Sequence, residues 1–148
     1  MALYSPDIFR DFVSEAALAR AMRERGSTPL GTYLVRRGDL TPGTLATVLA
    51  YHNKIFVVNP DERQPEKGAL QRLPKEKAAE RRVLPYALQN GNRLVVVIGA
   101  DQVEEGRHLD FKKELEAETG MRVAPAVNLG GALSRAYVEH AYDALKTE

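Results

Sequence analysis

The sequence predicts an α+β fold, in which a small helical subdomain precedes an α-β-β-α-β-α subdomain whose three-stranded sheet is covered by helices. Residues 1–56 carry apolar side chains at helical spacing, whereas residues 73–148 alternate between helical and strand-like patterns. Asn90-Gly91, a dipeptide typical of a tight hairpin turn, joins two apolar runs. Residues 57–72 contain prolines, a glycine and alternating charges, which predicts a linker between the two subdomains.

The N-terminal part is predicted to contain three helices, each with a recognisable start or stop. Ser14 is a favoured N-cap for a helix that ends before Gly26. A short helix at 30–37 precedes Gly38, which can take the left-handed conformation after a helix. The third helix follows Thr41, another favoured N-cap.

The first and third helices are related as two copies of one degenerate repeat. The shift that superposes Leu18 on Leu45 also superposes Met22 on Leu49. The second copy contains two glycines that the first copy lacks. General similarity between two helical hairpins would give the same pattern, and that alternative stays open.

The C-terminal part alternates helices and strands. Its predicted elements are a charged helix at 73–82, strands at 83–88 and 94–98, a helix at 108–119, a strand at 121–127 and a last helix capped by Asn128. Pro125 has no N–H to donate to a ladder, so the third strand is expected at a sheet edge or interrupted at that residue.

Composition excludes several classes of protein. The 148 residues include 21 basic and 20 acidic side chains and no cysteine, so disulfides, thiolate zinc sites and a cysteine nucleophile are absent. A net charge of +1 does not indicate the basic surface that proteins use to bind nucleic acid. No apolar run approaches the roughly 20 residues of a membrane span. We expect a cytoplasmic protein with no nucleic-acid partner.

The sequence offers no assembled catalytic or metal site. Its histidines, His52, His108 and His140, lack the spacing of metal ligands on one helix face. Neither a nucleophile elbow nor a nucleoside-triphosphate loop is present, so we assign no catalytic residue and no metal. An enzyme of unrecognised type remains a third hypothesis, after the two given below.

An acidic run follows the second apolar strand, at Asp101, Glu104 and Glu105. Ligands often bind beyond the ends of such strands. Carboxylates in the first turn of a helix also favour its dipole, which needs no ligand. The sequence leaves both explanations open.

Residues 30–49 carry a specific motif, L-G-x-x-L-V-x-x-G-x-L-x-x-x-x-L-x-x-x-L. It is formed by Leu30, Gly31, Leu34, Val35, Gly38, Leu40, Leu45 and Leu49. On these residues the chain resembles the N-terminal domain of type II secretion and type IV pilus assembly ATPases. That family includes the cyclic-di-GMP-binding, MshEN-like version found on the MSHA pilus motor and on some membrane glycosyltransferases. Val83-Leu84-Pro85-Tyr86 and Thr119-Gly120 extend the resemblance to roughly residues 10–143.

The chain departs from the family motif where the polar ligand contacts are expected. The arginine that opens the motif is Pro29, and the glutamine that closes it is His52; the first copy has Ala2 and Arg25 at these positions. A dinucleotide with two phosphate charges favours arginine in its binding site, because one guanidinium group can donate two hydrogen bonds to the oxygens of one phosphate. The candidate ligand-binding residues implied by the resemblance are therefore the eight motif residues of 30–49 together with Arg25, Arg36, Arg37 and His52.

The resemblance implies a non-catalytic adaptor or regulatory domain without a resident cofactor. Such a domain docks a motor or transferase to an inner-membrane assembly protein, and so becomes peripheral to that membrane through its partner. The alternative is a cyclic-di-GMP receptor that controls an attached ATPase or glycosyltransferase. Because the family is usually fused to such a catalytic unit and this chain has no Walker motif, we expect a fragment of a longer protein.

Overall fold

A computed structural model describes residues 4–90 and 92–145, apart from the side chain of Leu145. Its elements are a 3-10 helix at Pro6–Phe9, α1 (Glu15–Glu24), α2 (Leu30–Arg36), α3 (Pro42–Asn53), β1 (Phe56–Val58), α4 (Lys67–Leu70), α5 (Lys75–Arg81), β2 (Val83–Gln89), β3 (Arg93–Ile98), α6 (Ala100–Glu104), α7 (Arg107–Thr119), β4 (Arg122–Asn128) and α8 (Arg135–Leu145). Ala2 of the first repeat copy and Gly91 of the predicted turn lie outside the described residues.

The helices α1 and α3 begin at the capping residues that the sequence predicts, and α2 ends at the predicted glycine. Ser14 Oγ accepts a hydrogen bond from the Ala17 N–H at 3.1 Å, which satisfies a free donor at the start of α1. Thr41 does the same for α3. Gly38 has φ +81°, the left-handed conformation that ends α2. The helix α2 differs, because its N-cap residue is Pro29, which makes no side-chain capping hydrogen bond.

The sheet confirms the α+β class, but the prediction of three strands is wrong. Four strands lie in the order β1-β4-β3-β2, with β2 antiparallel to β3 and the other neighbours parallel. The missed strand, β1, has only three residues and runs into the predicted linker. A segment this short carries no readable alternation, and it is a strand because Ala126–Asn128 pair with it. The segment 57–72 also contains α4; the division into subdomains stays a prediction.

On the side of β4 that faces β1, strand pairing begins directly after Pro125. The strand is internal to the sheet, so the simple expectation of an edge strand is wrong. The ladder with β1 nevertheless begins only at Ala126, one residue after the proline, while β3 pairs along the whole strand. The missing N–H of Pro125 thus coincides with the end of pairing on that side.

The last helix begins later than predicted. Asn128 is the final residue of β4 and pairs with Val58, so it cannot cap a helix. The chain then turns through Gly131, whose φ is +98°. Ser134 Oγ accepts a hydrogen bond from the Tyr137 N–H at 3.0 Å and takes the capping role at α8.

One hydrophobic core joins the N-terminal helices to the sheet. Leu34, Leu45 and Leu49 belong to the same buried cluster as the β3 residues 94–98. The helices α3 and α7 both contact β4, and α6 contacts α2 and α3. The core therefore places the end of β3 and the helix that follows it against the start of α2. Over the described part of the chain, no helix combines the length and apolar character needed to cross a bilayer.

Candidate functional site

A cavity of about 690 Å³ opens between the two predicted repeat copies, and we call it the repeat-junction cavity. Its wall combines the 3-10 helix, the turn between α1 and α2, and the end of α6. It is lined by Tyr4, Pro6, Phe9, Met22, Arg25, Gly26, Ser27, Pro29, Leu30, Glu104 and Glu105. Two of the sequence-predicted residues, Arg25 and Leu30, face it, which makes it the candidate site.

Glu104 lies in the wall of the repeat-junction cavity and is only 6% exposed. Its carboxylate accepts hydrogen bonds from the Gly31 N–H at 2.5 Å, and from the N–H and hydroxyl group of Thr32, both at 2.8 Å. The N–H groups of Gly31 and Thr32 are free donors in the first turn of α2, and the side chain of Pro29 cannot accept a hydrogen bond from either of them. Glu104 therefore caps α2 from a position 73 residues away in the chain.

Burial and hydrogen bonding act on Glu104 in opposite directions. Burial in the core raises the pKa of the carboxyl group, because the charged form loses its hydration. The donors of Thr32 and Gly31, and the positive charge of Arg25, lower it, and burial is the larger effect. The net result is a glutamate whose pKa lies above its ordinary value.

Gly31 is required by close packing. A Cβ atom at this position would lie 2.5 Å from Leu45 Cδ1, 2.7 Å from Glu104 Oε2 and 2.8 Å from Phe9 Cζ. All three distances are far below van der Waals contact. The glycine therefore allows α3, α6 and the 3-10 helix to meet at the first turn of α2.

The polar groups of the first repeat copy bond to the protein's own backbone and side chains. Arg25 Nη1 donates to the carbonyl oxygen of Thr28 at 3.0 Å, in the turn after α1. Tyr4, which stands where the second copy has Gly31, donates its hydroxyl proton to the Val103 carbonyl oxygen at 3.3 Å. The same hydroxyl oxygen accepts from Asn53 Nδ2 at 2.8 Å, and burial raises the Tyr4 pKa.

The charge of the repeat-junction cavity is unfavourable for a polyanion. Two carboxyl side chains, Glu104 and Glu105, line it together with one guanidinium group, that of Arg25. A phosphate at the start of α2 would need the N–H groups of Gly31 and Thr32 as donors, and both already donate to the Glu104 carboxylate. Within the described ranges, no group of three or more histidine, aspartate or glutamate side chains could hold a metal ion.

The structure brings together only part of the predicted site. Leu34, Leu40, Leu45 and Leu49 are buried core residues, and Val35 packs against the same core. Gly38 ends α2 in open space.

The exposed candidates lie outside the cavity wall. Arg36, Arg37 and His52 do not line it, and the His52 ring stacks edge-on against Tyr51 with ring centres 5.4 Å apart. Sequence reasoning placed Glu104 in an acidic run but missed its contact with Gly31. The available signal was Pro29, a helix start without a capping side chain, which requires an acceptor from elsewhere.

Comparison with known proteins finds similarity only between structures. No protein-family model and no curated protein matches the chain. A structure of MshE with cyclic-di-GMP is similar with a TM-score of 0.72 and 19% identity, over 95% of this chain and 96% of that chain. The N-terminal domain of XpsE is similar with a TM-score of 0.62 and 18% identity, over 97% of each chain.

These likenesses extend over nearly the whole of both compared chains, so they concern the complete arrangement of helices and sheet. The resemblance inferred from the motif of residues 30–49 is thereby confirmed at the level of the fold. The chain has the fold of MshE as solved with cyclic-di-GMP and of the XpsE N-terminal domain.

Proposed function

We propose that this chain is a non-catalytic adaptor domain, which docks a motor ATPase or a transferase to an inner-membrane assembly protein. The observation that carries the proposal is the bond between Glu104 and the first turn of α2, within a fold shared with MshE and the XpsE N-terminal domain. The fold is shared with these proteins, but the N–H groups at the start of α2 bond to Glu104 of the chain itself. A domain in this state offers its surface, rather than a ligand cavity, to other molecules.

A dinucleotide would need hydrogen-bond donors that this chain lacks or uses within the fold. Hydrogen bonds to charged groups contribute about 1.5–3 kcal/mol each, so several missing donors reduce affinity by orders of magnitude. Here Pro29 and His52 replace the polar ends of the motif, and the N–H groups of Gly31 and Thr32 are bonded to Glu104. The carboxyl groups of Glu104 and Glu105 in the cavity wall also disfavour a phosphate there.

The alternative function is a cyclic-di-GMP receptor that controls an attached ATPase or glycosyltransferase. Two observations favour it: the MshE structure to which this chain is similar was solved with cyclic-di-GMP, and the repeat-junction cavity has a volume of about 690 Å³. Arg25 is the guanidinium group on that wall that could turn towards a phosphate. Calorimetry with this dinucleotide separates the two functions.

As an adaptor, the domain acts in the cytoplasm and is peripheral to the inner membrane through its partner. The test is affinity purification of the tagged full-length protein from cytosolic and membrane fractions of its own cells, with mass spectrometry of the bound proteins. We expect enrichment of a secretion or pilus assembly protein in the membrane fraction. Recovery of no secretion, pilus or glycosyltransferase component in either fraction would contradict the proposal.

A control variant is needed that removes the fold but not the tag. Leu34→Asp places a carboxylate at a residue that is 0% exposed, so it unfolds the domain and should abolish specific recovery. Proteins that are recovered equally with this variant are background. The comparison is therefore between two samples that differ only in whether the domain is folded.

A further inference from the structure

A second cavity, of about 740 Å³, lies beside the first half of β4, where β1 has not yet joined the sheet. It is bounded by the residues that lead into β1, Arg93 at the start of β3, the first half of β4 and the last two turns of α7. We call it the basic groove. Four of its lining residues are cations, Lys54, Arg93, Lys112 and Arg122, and one is an anion, Glu116.

Positive charge exceeds negative charge in the basic groove. Lys112 Nζ pairs with Glu116 Oε2 at 2.9 Å. Among the described residues, Lys54, Arg93 and Arg122 form no direct ion pair, and Arg122 is near enough to Glu116 for their charges to attract. The lining of the groove therefore carries four cations and one anion.

Two of these cations are neighbours across the sheet. Arg93 is the register partner of Arg122 at the start of the parallel β3/β4 pair. Like charges directly opposite each other on neighbouring strands destabilise a sheet. A carboxylate placed between the two guanidinium groups would remove this repulsion and bond to both.

One large apolar side chain in the lining of the basic groove is strongly exposed. Phe56, the first residue of β1, is 64% exposed and lines the groove together with Lys54. Aromatic residues and arginine are both enriched at protein–protein interfaces.

The backbone edge of the groove is closed to strand addition. The Val123 N–H, which faces away from β3, already donates to Glu116 Oε2 at 3.0 Å. Pro125, the next residue on that side, has no N–H. A peptide therefore finds few backbone partners along this half of β4, and recognition falls to side chains.

We propose that the basic groove binds an acidic segment of a partner protein, with its carboxylates on Arg93 and Arg122 and an apolar side chain against Phe56. This deepens the proposed adaptor function and rests on it for one point, that the occupant is a protein. A nucleic-acid backbone fits less well, because Glu116 lies in the groove and the chain has a net charge of only +1. The chemistry selects alternating or clustered carboxylates with at least one apolar residue.

The test replaces Phe56 with a photo-cross-linking phenylalanine analogue in the full-length protein, in its own cells. The same analogue at Phe12, which is 50% exposed and outside both cavities, is the matched control. We expect a cross-link at position 56 to a segment of another protein that has a net negative charge. A signal no stronger than at position 12, or a cross-link to a neutral or basic segment, a second copy of this chain or a nucleic acid, would overturn the inference.

Charge reversal tests the role of the arginines. Arg93→Glu with Arg122→Glu should reduce the cross-link at position 56 by about tenfold or more, since the carboxylates then meet like charge. Arg93→Gln with Arg122→Gln, which avoids new charges in the sheet, should reduce it less. Arg23→Glu with Arg72→Glu makes the same charge change at exposed residues elsewhere and should leave it unchanged. An equal signal in all these variants would overturn the inference.

The outcomes keep this inference separate from the proposed function. A secretion or pilus component that co-purifies with the protein but cross-links only at position 12 would leave the adaptor function standing and remove the basic groove from it. An arginine-dependent cross-link at position 56 to an acidic protein outside any secretion, pilus or glycosyltransferase system would support the groove and contradict the adaptor function.

Discussion

The Glu104 carboxylate accepts a hydrogen bond from the Gly31 N–H at 2.5 Å, and a Cβ on residue 31 would lie 2.7 Å from the same oxygen atom. The carboxylate of Glu104 therefore occupies the space that a side chain on residue 31 would need. The contact joins the first turn of α2 to the end of α6, beside the repeat-junction cavity.

Gly31→Ala should destabilise the protein by about 1–3 kcal/mol, because the added methyl group overlaps Leu45, Glu104 and Phe9. The measurement is the free energy of unfolding in urea. Gly43→Ala is the matched control, since its Cβ would lie at an ordinary 3.5 Å from Leu129 Cδ1. We expect the control to be neutral or stabilising by up to about 1 kcal/mol, from helix propensity. Equal stability of the Gly31→Ala variant and the wild type would contradict the packing argument.

Glu104→Gln should reduce the free energy of unfolding by about 1–3 kcal/mol, because the amide nitrogen cannot accept from Gly31 or Thr32. Glu105→Gln changes the neighbouring, exposed carboxylate and is the control. Chemical denaturation of both variants at neutral pH measures the difference. If the two substitutions have equal effects, Glu104 does not cap α2 in solution.

The difference in stability between wild type and Glu104→Gln should depend on pH. Burial raises the pKa of Glu104 in the folded protein, so the folded state holds its proton to higher pH than the unfolded state. The part of the stability that comes from this raised pKa is therefore complete below the ordinary glutamate pKa of about 4.3 and is lost as the pH rises through the folded pKa, whereas the hydrogen bonds from Gly31 and Thr32 remain at neutral pH. Unfolding free energies measured from acid to neutral pH should show this fall, and a rise over the same window would contradict the shift.

Alkaline pH should destabilise the protein through Tyr137 and Tyr142. Burial, with a 2.6 Å hydrogen bond to Asp61, raises the pKa of Tyr137 to about 12, and burial raises that of Tyr142 still further. Because an unfolded tyrosine ionises near pH 10, stability is lost as the pH rises from about 10 towards the folded pKa. Tyr137→Phe and Tyr142→Phe should each flatten this loss.

The control for the tyrosine experiment is Tyr51→Phe, which removes a hydroxyl group from a ring that is 80% exposed. Its alkaline unfolding curve should follow that of the wild type. At neutral pH, Tyr142→Phe should also lower stability by about 1 kcal/mol, because the 2.8 Å bond to the Leu73 carbonyl oxygen is lost. A Tyr142→Phe curve that overlays the control at every pH would show that the hydroxyl group is not buried against Leu73.

Calorimetry with cyclic-di-GMP should give no binding heat at about 100 µM ligand, which excludes affinity in the signalling range. The reason is that Glu104 holds the Gly31 and Thr32 donors and that Pro29 supplies none. Thermal unfolding with and without ligand is an independent measurement, since a ligand of the folded state raises the melting temperature. Saturable heat that is lost in Arg25→Ala would instead favour the receptor function.

Substitutions at Gly31 and at Gly38 would test ligand binding in different ways, because only Gly31 is closely packed. A side chain at position 31 disrupts packing, so loss of binding in that variant would report on folding. Gly38 has φ +81° and open space around it, so substitution there adds only backbone strain of about 1–2 kcal/mol. Arg25, on the cavity wall, is the cleaner position to change.

Local signals in the sequence predicted the longer helices and most of the sheet, but not the short helices α4 and α6 or the 3-10 helix. Ser14 and Thr41 cap the helices that their positions predict, and the apolar run at 94–98 is the buried strand β3. Such features depend on neighbours a few residues away. The family resemblance could be predicted for the same reason, since all eight motif residues lie in one continuous segment, 30–49.

Features that depend on distant partners were not readable. The strand β1 exists because Phe56–Val58 pairs with residues some 70 positions later, and its three residues carry no pattern of their own. Glu104 is an ordinary acidic residue until the core places it against Gly31. The register that sets Arg93 beside Arg122 is likewise a property of the sheet, which no short motif encodes.

The pairing of β1 with β4 determines where the chain can be divided. Expression of residues 73–148 alone, as the sequence boundary suggests, would leave β1 behind and uncover the flank of β4 along Ala126–Asn128. An uncovered strand of this kind pairs readily with strands of other molecules. The separated half should therefore self-associate and precipitate, whereas adding residues 1–58, which include the whole of β1, in trans should restore solubility.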